Sequence, residues 1–148
     1  MEREEKMSVI VILKFLHFLA IIFAGGIVIG GAVIQRAHIQ AGEAPSEPVR
    51  KALRLLAGMG LAALSLLWIT GIGLAHGLYG GLSVNTAFSV KLAGAGLLLF
   101  LSAFGNYHLY QAAQFKQPPN ARLMGGITSL SRLALIVVLG AVSVAFTA

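Results

Sequence analysis

Lys14 and His17 lie three residues apart inside a long apolar stretch, a spacing that puts an ammonium and an imidazole on one helix face a turn apart. An imidazole in hydrocarbon needs a polar partner, and in its neutral form it is a common ligand for metals and for haem iron. His76 closes the second apolar stretch and Lys91 opens the third. If the stretches cross a membrane alternately, all four residues gather in one half of it. Such a cluster suits a porphyrin, with histidine on the iron and lysines on the two carboxylates. The plainer roles are a histidine hydrogen-bonded across helices and lysines that snorkel to the head groups.

Arg132, in Ser129-Leu130-Ser131-Arg132-Leu133, admits two placements. A fourth helix starting near residue 121 leaves it deep, where it suits a propionate or another anionic partner. Hydrocarbon that begins near Ser129 lets it snorkel instead. His38 and His108, the latter in Asn106-Tyr107-His108-Leu109-Tyr110, fall at the opposite ends of their stretches, where His and Tyr anchor helices at the interface.

What is missing narrows the chemistry. With no cysteine, disulfides, thiolate metal sites, iron–sulfur clusters and covalent c-type haem are excluded. The apolar stretches hold no acidic residue, which argues against a carboxylate proton relay or cation site. Neither a phosphate-binding loop nor a Ser/His/Asp arrangement is present, and no catalytic residue stands out. The net charge of +6 comes from basic residues at the ends of the stretches, so anionic lipid head groups, not nucleic acid, are the expected partners.

The elements that must position these residues follow from composition. Of the 148 residues 57% are apolar and only 11% charged, with mean hydropathy +0.86. Soluble domains carry about 25% charged residues. Apolar stretches at 9–34, 52–78, 88–113 and 123–148 each exceed the roughly 20 residues a helix needs to cross about 30 Å of hydrocarbon. The run 92–101 is apolar on every face and excludes the alternation of a membrane β-barrel. The first stretch is too long for a cleavable signal and reads as a retained helix.

We expect an all-α fold: a single transmembrane domain, an integral membrane four-helix up-down-up-down bundle, with helices near 8–36, 47–78, 86–115 and 121–148. Ser46 with Pro48, Asn85, and Asn120 are the expected starts of helices two, three and four. Gly26 and Gly30, with Gly25, Gly31, Gly58, Gly60, Gly94 and Gly96, predict close helix approach or, alternatively, space for a flat cofactor. Arg36, Arg50, Lys51, Arg54, Lys116 and Arg122 flank loops one and three, while Glu2, Glu4 and Glu5 dilute Arg3 and Lys6. The positive-inside bias then puts loops one and three in the cytoplasm and both termini in the periplasm of a bacterial inner membrane.

The motifs also resemble a known family. Lys14-Phe15-Leu16-His17, His38 at the far end of the same helix, and Phe88-Ser89-Val90-Lys91-Leu92 opening helix three are similar to the copper-resistance D and protoporphyrinogen oxidase J superfamily of small four-helix membrane proteins. The resemblance implies His17 as a haem ligand, Lys91 as a pocket residue and Arg132 as the arginine of helix four. This chain lacks that family's Trp and Pro-Arg-Leu in helix one, and it has Leu133-Ala134-Leu135 where Asn-Glu would follow the arginine. The helix-three histidine is also displaced toward the cytoplasmic end.

Three functions remain open. The leading one is a haem b protein for electron transfer or porphyrin redox chemistry, with His17 as one axial ligand and His76 or a helix-three residue as the second. Copper handling is the next, although Met1, Met7, Met59 and Met124 all stand away from His17. The last is a non-catalytic subunit packed in a larger respiratory or photosynthetic membrane complex, or in a homo-oligomer.

Overall fold

A computed structural model describes residues 2–82, 86–115, 117 and 119–145. The chain forms four helices, α1 (Glu2–Ala41), α2 (Glu47–Tyr79), α3 (Thr86–Gln114) and α4 (Ala121–Ala145), with no strand among the described residues. Each helix contains a span long and apolar enough to cross a membrane, the architecture of an integral membrane protein.

α1 outruns its expected start because nothing between Glu2 and Ser8 breaks a helix, and Ser8 Oγ donates back to Glu4 O. It stops at Gly42, whose φ of 67° only glycine adopts without strain, and Glu43 N closes the turn on His38 O. Gly80 ends α2 in the same way, at φ 73°. Ser46 occupies the position before α2, but its side chain does not cap the helix. Glu47 stands there beside the first-turn amides and pairs with Arg50 at 2.7 Å. Asn120 does cap α4, its Oδ1 accepting from the amides of Arg122 and Leu123. Asn85 and Lys116 lie outside the described residues, as does the end of the fourth helix beyond Ala145.

Buried and half-buried positions of α1 recur at Ile10, Leu13, His17, Ala20, Ala24 and Ile27 and continue to His38, alternating steps of three and four. That is the spacing of a left-handed helix–helix seam. Its partner is α2, and the two run antiparallel: Ile10 lies over Gly77, Leu13 over Gly73, His17 against Thr70, and Ile27 over Gly60. The α2–α3 pair is antiparallel too. Trp68 sits over Gly96, and Asn106 Nδ2 donates to Ala57 O at 3.2 Å. In the α3–α4 pair Gly94 faces Val138, Gly105 faces Ile127, and His108 Nε2 accepts from the Asn120 amide.

Each helix thus packs on its chain neighbours alone. Among the described residues no Cα of α1 comes within 8 Å of α3 or α4, and none of α2 does so with α4. The bundle is an open row of two hairpins, α1–α2 and α3–α4, joined along α2 and α3.

The glycines divide into two groups. Gly60, Gly71, Gly73, Gly77, Gly94, Gly96 and Gly105 admit a neighbouring side chain. Gly25, Gly26, Gly30, Gly31 and Gly58 have nothing within 4 Å of where a Cβ would stand. The close approach expected at Gly26 and Gly30 is therefore not made within this chain. Gly26→Ala should leave the thermal stability of the detergent-solubilised protein unchanged or slightly raised, since alanine is the better helix former. A drop in melting temperature would show that this face is covered.

Candidate functional site

His17 is placed by the α1 seam, which turns its ring toward α2. Its Nδ1 lies 2.8 Å from Thr70 Oγ1, and Thr70 is only 1% exposed. The Thr70 hydroxyl has one proton, and that proton goes to Leu66 O at 2.7 Å, with Leu67 O at 3.3 Å. With its proton so placed, the hydroxyl accepts from His17. In that arrangement Nδ1 carries the hydrogen and Nε2 presents a bare lone pair. Among the described residues no protein group takes that lone pair. Gly71 lies beside the ring, where an added Cβ would come to 3.5 Å of His17 Cε1.

Lys91 comes from α3, on the other hairpin. It is half-buried, its Nζ stands 5.8 Å from the Phe88 ring centroid, and the helix register sets it three residues, about 5 Å along the axis, from the level of His17. His17 and Lys91 thus stand at similar height on opposite hairpins, and among the described residues no Cα of α1 comes within 8 Å of α3. The pair can engage a ligand that combines a Lewis-acidic centre with an anionic group.

The other sequence-derived candidates do not converge there. Lys14 is exposed one turn from His17. His76 is exposed in the last turn of α2, six residues past Thr70, which is about 9 Å along the axis and on another face. Arg132 is exposed on α4. The α3–α4 register sets it level with Phe100, about 9 Å along the axis from Gly94, which lies level with Thr70 and His17. Among the described residues no three His, Asp or Glu side chains group to hold a metal. Met59 lies eleven residues before Thr70 on α2, about 16 Å away along the axis.

His38 and His108 lie near helix ends. His38 Nδ1 donates to Ile34 O at 2.9 Å, and His108 holds the turn into α4. Thr70 is the site residue that sequence reading missed. Its signal was a lone hydroxyl in the apolar run Trp68-Ile69-Thr70-Gly71, with the same depth in α2 as His17 has in α1. Trp68 adds a buried Nε1 with no hydrogen-bond partner, the only such side-chain atom among the described residues.

Comparison with protein families, with curated proteins and with solved structures finds no match to this chain.

Proposed function

We propose that this integral membrane protein binds haem b non-covalently through His17, for one-electron transfer or redox chemistry on a porphyrin. The observation that carries the reading is the buried Thr70 hydroxyl 2.8 Å from His17 Nδ1, which with its proton on Leu66 O supports the tautomer with a free Nε2, the form that ligates iron. Lys91, half-buried on α3 near the level of His17, would supply a cation for a propionate. His76 and Arg132 take no part in this site, so His17 is the one protein ligand proposed. Bound haem would supply the one-electron couple, while the chain fixes the ring nitrogen, the neighbouring charge and the apolar surroundings. Membership of the copper-resistance D and protoporphyrinogen oxidase J superfamily belongs to the same proposal.

Protein purified in mild detergent from haem-sufficient cells should show a Soret band and visible bands that sharpen on reduction. Well-folded protein that stays colourless after haem is added would sink the reading and leave the accessory-subunit reading in its place.

We further propose an orientation with both termini outside the cytoplasm. The antiparallel pairing brings Arg36, Arg50, Lys51, Arg54 and Arg122 to one end of the row. A reporter active only in the cytoplasm should work when fused near Gly42 and fail at Ala148. The reverse pattern would move the His17 site to the inner leaflet.

A further inference from the structure

Arg132 stands ten residues along α4 from Arg122, about 15 Å at the rise of a helix. The α3–α4 register puts it nine residues, or about 13 Å, below the level of Lys91. Both distances exceed the reach of an arginine side chain, and Arg122 and Lys91 stand near the two ends of the apolar span. Arg132 therefore lies near the middle of the apolar span that α4 offers from Arg122 to Ala141. Yet Arg132 is exposed, on a helix whose only neighbour is α3, and among the described residues no acceptor meets its guanidinium. Arginines inside membranes face a protein interior or a polar cavity and are paired there.

The partner's chemistry follows by elimination. All five acidic residues, Glu2, Glu4, Glu5, Glu43 and Glu47, lie outside the apolar stretches. Neither this chain nor a second copy of it can present a carboxylate at the depth of Arg132, and a symmetric dimer through this face would set one Arg132 against the other. The surface around it suits a helix. Gly125, Thr128 and Ser129 share the Arg132 face at spacings of seven, four and three, all are exposed, and a Cβ on Gly125 would meet nothing within 4 Å. We propose that the Arg132 face of α4 docks a transmembrane helix of a different protein, through an aspartate or glutamate near the middle of that helix. This inference stands apart from the haem reading, since Arg132 and His17 lie on different hairpins.

The test uses the full chain, labelled with a fluorescence donor at a cysteine introduced at Gln117 and reconstituted in phosphatidylcholine vesicles. The probe is an acceptor-labelled leucine–alanine helix of about 23 residues with one central glutamate. Versions with glutamine or leucine at the centre serve as controls. The glutamate helix should associate about tenfold more strongly than the leucine helix, the glutamine helix falling between them. Arg132→Leu should abolish that preference, and Arg132→Lys should keep part of it. Circular dichroism checks that both variants retain their helices. Equal transfer to all three probes by the wild type would overturn the proposal, as would a preference that survives in Arg132→Leu. So would loss of the preference on adding phosphatidylglycerol, which would make a lipid phosphate the occupant, or self-association that excludes the probe, which would make it a second copy.

Discussion

If the protein binds haem as proposed, His17→Ala should remove most of it, with the Soret absorbance per mole falling about tenfold or more while far-ultraviolet circular dichroism stays helical. The loss follows from having no other histidine on the site: His76 is turned away and exposed, His38 lies far along α1, and His108 Nε2 is taken by the Asn120 amide. His38→Ala is the matched control. Its seam position lies twenty-one residues from His17, about 31 Å along α1. Thr70 separates a ligand from a structural histidine. Thr70→Val keeps the shape but gives His17 Nδ1 no acceptor, and removing such an orienting partner weakens binding about 10–100-fold. Thr70→Ser keeps the hydroxyl and should restore most of the affinity. If valine and serine bind haem equally well, the tautomer argument fails.

Gly94→Ala should be the most damaging single methyl in the fold. The added Cβ would fall 2.6 Å from Val138 Cγ2 and 3.7 Å from the Ala134 carbonyl oxygen. Val138 is stiff at its first torsion, so relief requires α4 to move away from α3. Overpacking of this kind costs about 1–3 kcal/mol. Thermal unfolding in detergent should show a clear drop for Gly94→Ala, a smaller one for Gly105→Ala, whose nearest contact is 3.7 Å, and none for Gly26→Ala. A tolerated Gly94→Ala would mean that α3 and α4 do not approach as closely as described.

The four helices were legible because length and apolarity are properties of a single stretch and need no partner. The seam on α1 was not. A helix that is apolar nearly all round hides which stripe faces protein, and only the polar residue within it, His17, marked the position. The glycines misled for a related reason. A small residue permits close approach without saying which face uses it, so Gly26 and Gly30 read like Gly94 in sequence although only Gly94 is in contact. His76 seemed a second ligand because it shares the outer half of the span with His17, but six residues past Thr70 it is turned to another face. Thr70 went unread because a hydroxyl bonded to its own helix carbonyl is silent until the cross-helix register is known. The start of α4 was legible, because Asn120 caps it as the sequence suggests.

His17 belongs to one hairpin and Lys91 to the other, and the hairpins are joined only along α2 and α3. Trp68 on Gly96 and Asn106 on Ala57 act as two rivets on that line. The separation of the imidazole and the ammonium is therefore set by the dihedral angle between two plates, much as the gap between the covers of a book is set at its spine. A substitution at Ala57, about 20 Å along α2 from Thr70, would tune the site by changing that angle.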